Sequence, residues 1–358
     1  MENQTEHIAM LDLILRPAFL VQDGVIIHVN SYAAPFLLCP GTPALSLILH
    51  GQEEYMQFTQ GQLCLTLQLG SQAVDATVVD TPYGHMFLPE QSQSLPQQQA
   101  LALAASQLRQ PLNGIFSTTE QIFSQLQDPQ LRDMAAQTNR RLLQLQRMVG
   151  NMSDALLYAQ SDPQALETVR IDTFLSEFLH KAAEVIAKAG RQLQLQLCEE
   201  AIYTLADRQK LERAVLNMLS NALKFTPEDR CVTVQVRQSN QRIYISVIDG
   251  GDESADAGLP SAVNRFLREP ALEDPRWGIG LGLLLMRSVA ATHHGAVLMD
   301  KTAQGSNRVT LTLAVRQIKQ SVVRSPILSV DYAGERDHLL LELSDVLPWQ
   351  LYAPDALN

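Results

Sequence analysis

Two apolar seams with heptad spacing between residues 97 and 156 restrict the fold of this chain more than any other feature. In the first, apolar or small residues recur at alternating intervals of four and three: Leu101, Ala105, Leu108, Leu112, Ile115, Thr119, Ile122 and Leu126. The second repeats the pattern at Leu131, Met134, Thr138, Leu142, Leu145, Val149, Met152 and Leu156. Such spacing places each seam along one side of a helix. Because Asp128-Pro129 interrupts the pattern, the seams predict two helices joined by a short turn.

A hairpin of two such helices buries only one of its faces well. We therefore predict an antiparallel hairpin that pairs with a second copy of the chain into a four-helix bundle. The alternative is that the seams pack against other domains of the same chain.

The composition is that of a globular protein. A length of 358 residues suggests two or three domains, and the formal net charge of −11 argues against nucleic acid or an anionic membrane as the main partner. No run approaches the roughly 18 apolar residues that span a bilayer. The N-terminus lacks the basic and apolar regions of a secretory signal, and the four cysteines are far apart. We expect a cytoplasmic protein.

Residues 10–90 have the pattern of a small α/β domain. Two short β-rich runs flank Asp23-Gly24, which is a hairpin signal, and later strands are expected at 62–69, 73–79 and 83–88. Residues 90–99 are rich in Gln, Ser and Pro, as a linker is.

Residues 166–316 alternate strand and helix patterns, which indicates α+β layering. Helices are expected at 171–189, 207–223 and 281–294, and strands at 192–197, 202–205, 231–237, 242–248, 296–300 and 308–315. The predicted domain limits are therefore 1–90, 91–161 for linker and hairpin, 162–317, and 318–358 for a C-terminal extension without a chemical motif.

Two segments carry recognisable chemistry. Asn217, Asn221 and Lys224 are spaced so that they lie near one helix face, where amide oxygens can ligate a hard cation and lysine can contact phosphate oxygens. The glycine-rich stretch 278–283 runs directly into an apolar helix, whose first N–H groups can bind an anion. Together they predict a Mg-nucleotide site.

The sequence from Asp207 to Pro227 resembles the N box of two-component sensor histidine kinases. By this resemblance Asn221 would ligate Mg²⁺, Asn217 and Lys224 would contact the phosphates of ATP, and Phe225 would line the site.

Two glycine boxes of the same family follow. Val247-Ile-Asp249-Gly-Gly251 resembles the first, so that Asp249 would accept a hydrogen bond from the adenine amine and Gly251 would let the backbone approach the base. Glu253 stands where the family has another glycine, and it would either bring a negative charge near the nucleotide or point outward. The second box is matched by Gly278, Gly280 and Gly282, after an ATP lid at 252–277.

The first seamed helix departs from the family at its acceptor. Residues 105–115 resemble the H box, but Ser106 occupies the position of the phosphoacceptor histidine and Gln107 that of its acidic neighbour. An unactivated serine hydroxyl is a poor nucleophile toward a phosphoryl group, and glutamine cannot take up a proton. The resemblance therefore predicts that autophosphorylation on histidine is lost.

The resemblance implies a multidomain α+β fold. Its parts would be an antiparallel hairpin that forms a dimeric four-helix bundle and an α/β-sandwich ATPase domain, preceded by a PAS-like α/β sensor, which the N-terminal domain resembles through the stretch from Phe19 to Asn30 and through Ala33-Ala34. ATP and Mg²⁺ are the implied cofactors; a second copy and a response regulator or partner kinase are the implied partners. The favoured function is a regulatory pseudokinase. The alternatives are a kinase acting on a partner histidine or another acceptor, a slow ATPase, and another member of the ATPase superfamily that includes gyrase and Hsp90.

Overall fold

The computed structural model describes residues 11, 13–90, 95–157, 166–198, 200–251, 281–316 and 337–356. These residues divide into two compact units. The first contains those from 11–90 with 290–314, and the second contains those from 95–251 with 281–289 and 315–356. In the described ranges no helix is both long enough and apolar enough to cross a membrane.

The regular elements, in chain order, are as follows. The strands are β1 (Phe19–Gln22), β2 (Val25–Val29), β3 (Ile48–His50), β4 (Gln62–Leu69), β5 (Gln72–Thr81), β6 (Gly84–Pro89), β7 (Glu167–Arg170), β8 (Gln192–Gln196), β9 (Tyr203–Ala206), β10 (Cys231–Ser239), β11 (Arg242–Ile248), β12 (Val297–Lys301) and β13 (Asn307–Ala314). The helices are α1 (Gln52–Met56), α2 (Leu95–Phe123), α3 (Pro129–Leu157), α4 (Ile171–Lys188), α5 (Arg208–Phe225), α6 (Leu281–Thr292) and α7 (His338–Glu342).

The first unit is built on an antiparallel sheet with the strand order β2-β1-β6-β5-β4-β12-β13, and β3 also pairs with β4. The hairpin predicted at Asp23-Gly24 is present, and both residues have the positive φ that such a tight turn requires. Alternate side chains point into one core, among them Phe19, Val21, Leu63, Leu65, Val78 and Phe87.

Strand β12 joins this unit through β4, where Val297 pairs with Cys64 and Met299 with Gln62. The sequence assigns β12 and β13 to the stretch 162–317, whereas their described contacts include the sheet of residues 19–89. The predicted domain limits stay predictions.

In the second unit, α2 and α3 pack against each other across the turn at residues 124–128. The first helix ends at Phe123, three residues before Leu126, the last residue of its seam. Only part of each seam is buried. Ala105, Leu142 and Val149 are enclosed, while an apolar stripe stays exposed at Leu108, Ile115, Ile122, Leu131, Met134 and Leu145. The side chains of Leu101 and Leu156 lie outside the described part.

The rest of the second unit layers helices on a sheet. Strand β10 pairs with β11 in antiparallel and with β8 in parallel fashion, and α4 and α5 pack on this sheet. A separate two-stranded ribbon joins β7 and β9. Helix α5 begins where Asp207 accepts a hydrogen bond from the N–H of Lys210 at 3.1 Å, and this cap fixes its start at the predicted residue.

The C-terminal segment folds onto α3 and α5. It consists of α7 and two short 3-10 helices, Trp349–Tyr352 and Pro354–Ala356. Its apolar side chains are buried: Leu339, Leu340, Leu341, Leu343, Leu347 and Tyr352. Burial raises the pKa of Tyr352, whose hydroxyl donates to the carbonyl of Leu340 at 3.0 Å. Residues 337–356 of the extension are therefore an integral part of this unit.

Candidate functional site

Helix α5 carries the N-box residues on a face that is exposed at one end and enclosed at the other. Asn221 and Lys224 are exposed, and Phe225 is 43% exposed although apolar. Asn217, one turn earlier, is only 2% exposed. Asn221, Lys224 and Phe225 are thus accessible to a ligand, whereas Asn217 is held among other side chains.

The glycine box meets this face at Gly282. A Cβ atom added to Gly282 would lie 3.1 Å from Oδ1 of Asn217 and 4.0 Å from Nδ2 of Asn221. The start of α6 therefore approaches the two amides closely, as the sequence predicted for a shared site. Gly278, Gly280, Glu253 and the predicted lid at 252–277 lie outside the described residues.

The first glycine box follows β11, beside the end of α5. Asp249 is buried, and its Oδ1 accepts a hydrogen bond from the N–H of Gly251 at 3.1 Å. Two residues that the sequence reasoning missed hold this turn. Thr226 Oγ1 accepts from the N–H of Gly250 at 3.0 Å, and Arg230 Nη1 donates to the carbonyls of Gly250 and Gly251 at 3.2 and 3.0 Å.

The same turn tolerates no side chain at its middle glycine. A Cβ atom on Gly250 would lie 2.8 Å from Cβ of Arg230 and 3.0 Å from the carbonyl oxygen of Cys231. Arg230 and Thr226 therefore fix the conformation in which Asp249 and Gly251 face each other. The Thr-Pro that ends the N-box sequence was the available signal for Thr226; nothing in the sequence pointed to Arg230.

Asn217 is enclosed by groups that are distant in sequence. Arg147 of α3 donates from Nη2 to Oδ1 of Asn217 at 3.2 Å. The amide nitrogen of Asn217 donates to the carbonyl of Arg213 at 3.0 Å and lies 3.4 Å from Oε2 of Glu342. The amide is thus fully engaged by protein groups.

Glu342 is the anionic centre of this cluster and is 0% exposed. Its Oε1 accepts from Nε of Arg213 at 2.9 Å, and its Oε2 from Nε of Arg147 at 3.2 Å. Arg147 also binds Asp345 at 2.7 Å, and Arg213 donates to Oδ1 of Asn151 at 2.8 Å. A carboxylate inside the apolar run 339–343 was the signal for a buried ion pair, because such a group is rarely buried without a partner.

Comparison with known proteins assigns these elements. Residues 206–317 match the family of histidine kinase-, DNA gyrase B- and HSP90-like ATPases. The sensor histidine kinase CusS of Escherichia coli O157:H7 is 27% identical over 208 residues, 57% of this chain and 43% of CusS. The sensor protein SphS of Synechococcus elongatus is 31% identical over 202 residues, 54% of this chain and 48% of SphS.

Residues 206–317 therefore form a histidine kinase-type ATPase domain, and the chain is homologous to sensor histidine kinases. This ATPase domain implies ATP binding, and the matched stretch includes α5, which carries Asn217, Asn221 and Lys224, and Gly282 at the start of α6. The chain spans about half the length of the curated relatives that it matches. Full-length ShkA in complex with AMPPNP, a solved structure, is 21% identical with a TM-score of 0.47, over 62% of this chain and 47% of ShkA.

The segment that resembles an H box lies on α2, where Ser106 and Gln107 are both exposed. The hydroxyl of Ser106 donates to the carbonyl of Leu103 at 2.8 Å, within its own helix. In the described part of the chain no cluster of three or more His, Cys, Asp or Glu side chains is arranged to hold a metal ion.

Proposed function

We propose that this chain is a signalling protein of the sensor histidine kinase family that binds Mg-ATP and does not phosphorylate itself on histidine. The observation that carries the nucleotide proposal is the approach of Gly282 to Asn217 and Asn221, because a side chain at Gly282 would enter the space between α6 and the amides. Exposed amide, ammonium and aromatic groups on one face of α5 fit the Mg²⁺, phosphate and base of a nucleotide.

Each proposed role follows the chemistry of its side chain. Asn221 would offer an oxygen to Mg²⁺, Lys224 would contact phosphate oxygens, and Phe225 would line the site. Asp249 would accept from the adenine amine, and Gly251 would keep the backbone open to the base. Thr226 and Arg230, which hold the Gly250-Gly251 turn by hydrogen bonds, would position Asp249 and make no contact with ATP.

Calorimetric titration of the full chain with Mg-ATP tests this proposal. We expect saturable binding that needs Mg²⁺ and that Asn221→Ala weakens by at least about tenfold, the loss expected for one contact to a charged ligand. Asn113→Ala is the matched control, since Asn113 is an exposed amide on a different helix, α2. Equal affinities for Asn221→Ala and Asn113→Ala would contradict the assigned site.

The proposed loss of autophosphorylation depends on Ser106 and Gln107. Neither side chain supplies the imidazole nucleophile or the carboxylate base of an H box, and the Ser106 hydroxyl is bonded to its own helix. Incubation with labelled ATP should give no acid-labile phosphate on the purified protein. Label transferred to a partner histidine, or ATP hydrolysis lost in Asn221→Ala, would instead favour the alternatives of a kinase acting in trans or a slow ATPase.

A second copy of the chain is the proposed partner of the hairpin. The exposed apolar stripe on α2 and α3 supports this, because monomeric soluble proteins rarely expose an apolar strip of this extent. Light scattering should give a dimer that Ile115→Glu dissociates and that Gln137→Glu, an exposed polar position on α3, leaves intact. A monomer for the unaltered chain would overturn this part.

The remaining roles are inferred from family membership and from the sheet of the first unit. We propose that residues 1–90 are a PAS-like sensor, for which the antiparallel strand order β2-β1-β6-β5-β4 provides the support. A response regulator or partner kinase is the proposed downstream partner, and a cytoplasmic location stays a prediction.

A further inference from the structure

Residues 337–356, which we call the C-terminal clasp, place a carboxylate beside the N box. The clasp begins at Asp337, which caps α7 by accepting from the N–H groups of Leu339 and Leu340 at 2.8 and 3.3 Å. Helix α7 ends at Glu342, the residue buried among arginines. The cap and the apolar run thus fix where this carboxylate lies.

Helix α3 holds the other side of the clasp through polar side chains. Arg140 Nε and Gln144 Nε2 donate to the carbonyl of Ser344 at 2.9 and 3.1 Å, and Asn139 donates to the carbonyl of Tyr352 at 3.1 Å. These bonds satisfy carbonyl groups that follow the end of α7 and would otherwise be buried without a partner. These hydrogen bonds therefore fix the position of the clasp on α3.

The cluster around Glu342 has the composition of an anion-binding pocket. Two guanidinium groups, of Arg147 and Arg213, converge on one carboxylate, and the amide of Asn217 completes the donors. Guanidinium groups bind carboxylate and phosphate oxygens with the same forked geometry. What occupies the pocket here is a side chain of the same protein.

The pocket shares Asn217 with the proposed nucleotide site. Phosphate groups brought to Asn217 would meet a fully buried carboxylate, and two negative charges at close range in an enclosed site repel strongly. The two N–H groups of Asn217 already donate to the backbone carbonyl of Arg213 and to Oε2 of Glu342, so a phosphate oxygen could accept from this amide only by displacing one of them. Clasp and phosphates therefore compete.

We propose that Arg147, Arg213 and Asn217 form an anion pocket in which Glu342 of the clasp is the resident ligand, and that ATP phosphates displace it. The inference rests on the proposed nucleotide function of α5. With the clasp bound, the chain would hold ATP weakly; with the clasp released, two arginines and one amide would face the phosphates. Because coupling between two ligands is reciprocal, ATP would loosen the clasp by the factor by which the clasp weakens ATP.

The test compares Glu342→Gln with Asp355→Asn in the full chain. Each removes one carboxylate from the clasp, but Asp355 pairs with Arg132 at an exposed position away from Asn217. We expect Glu342→Gln to lower the Kd for Mg-ATP by about tenfold, within the range usual for coupled sites, and Asp355→Asn to leave it unchanged. Asp345→Asn removes the second partner of Arg147 at a 46% exposed position and should lower the Kd by about threefold.

Adenosine separates phosphate competition from general loosening. It lacks the phosphates, so its affinity, followed by ligand-observed NMR, should not change in Glu342→Gln. An equal gain for adenosine and Mg-ATP would overturn the proposal, as would the same Kd for Mg-ATP in the unaltered chain, Glu342→Gln and Asp345→Asn. If Glu342→Gln fails to fold, Asp345→Asn alone decides, since it leaves the buried Glu342 in place.

The outcomes also distinguish a failure of the proposed anion pocket from a failure of the proposed nucleotide site. Unchanged Kd values in the clasp variants, together with weaker binding by Asn221→Ala, would remove the anion pocket and leave the nucleotide site standing. No binding of Mg-ATP by the unaltered chain or by either clasp variant would contradict the proposed nucleotide site itself.

Discussion

The two ends of the N-box face on α5 have opposite environments. At one end Asn221, Lys224 and Phe225 are exposed, and at the other Asn217 is buried among Arg147 and Glu342. Both ends belong to a single motif in the sequence. The difference shows that a segment without a motif of its own can enclose one end of a predicted nucleotide-binding motif and leave the other end exposed.

Because one end of this face is buried and the other exposed, the two ends should contribute differently to stability and to ligand affinity. Buried charges contribute to stability only as a set, because removing one leaves another without its partner in a place that water cannot reach. Exposed polar groups contribute little to stability and keep their capacity to bind a ligand. Substitutions that leave a charge unpaired at the enclosed end should therefore reduce stability strongly, whereas substitutions at the exposed end should reduce the affinity for ATP and leave stability nearly unchanged.

The largest expected effect is on the enclosed end. Arg213→Met leaves Glu342 with Arg147 as its remaining arginine, in a fully buried position, and should cost about 3–5 kcal/mol of unfolding free energy. Urea unfolding measures it. Arg132→Met is the control, because its partner Asp355 is exposed and such pairs contribute at most about 1 kcal/mol. Equal losses in the two variants would mean that the cluster is not an ionic core.

A double variant tests whether Arg213 and Glu342 stabilise the fold as a pair. Glu342→Leu combined with Arg213→Met removes both charges of one pair and leaves Arg147 with Asp345. The loss of unfolding free energy in the double variant should be smaller than the sum of the two single losses by about 2 kcal/mol. Each single variant leaves one buried charge without this partner, whereas the double variant removes both charges of the pair. Strictly additive losses would show that the two residues act independently.

At the exposed end a substitution should change the affinity for Mg-ATP more than it changes stability. Lys224→Gln should raise the Kd for Mg-ATP by about tenfold, the loss of one charge-assisted contact, with less than about 0.5 kcal/mol change in stability. Titration and urea unfolding of the same sample measure both. Lys188→Gln, the same change at an exposed lysine that ends α4, should alter neither. A large loss of stability in Lys224→Gln with unchanged affinity for Mg-ATP would contradict the difference between the two ends.

A smaller effect is expected where the two ends meet the glycine box. In Gly282→Ala the new methyl group would lie 3.1 Å from Oδ1 of Asn217, which is held by Arg147 and cannot move away freely. Affinity for Mg-ATP should fall severalfold, without the gain of about 0.5–1 kcal/mol that alanine usually brings to a helix. Gly114→Ala on α2 meets nothing within 4 Å and should show that gain alone.

The smallest expected effect lies in the first unit and is independent of both ends. Burial lowers the pKa of His85, an effect that nearby Asp80 partly offsets. The unfolded chain therefore takes up a proton at higher pH than the folded unit, so stability should fall as pH drops below about 6.5. His85→Gln should unfold with a weaker dependence on pH between about 7.5 and 5.5 than the unaltered chain. An identical dependence would contradict the assignment.

Much of the fold was predictable from local patterns. The heptad seams gave both long helices, Asp23-Gly24 gave the first hairpin, and the apolar period with the Asp207 cap gave α5 within two residues of its end. The exposed part of the proposed site could also be predicted from the sequence, because Asn221 and Lys224 are only three residues apart. In each case the determining interactions are short-range.

The enclosed part was not predictable in the same way. Arg147 and Glu342 are 195 residues apart, and no spacing rule relates residues so distant. No chemical motif marks the clasp in the sequence, yet its carboxylate lies within hydrogen-bonding distance of the Asn217 amide. Which face of α3 is exposed could not be read from the seam either, since the clasp covers one side of the helix and leaves the apolar stripe open.

Hydrogen–deuterium exchange on the full chain, with and without Mg-ATP, follows both ends of the N-box face in a single experiment. We expect slower exchange at the end of α5, around residues 221–225, and faster exchange in residues 339–347 of the clasp when the nucleotide binds. Slower exchange in both segments, or no change in either at saturating Mg-ATP, would contradict the account.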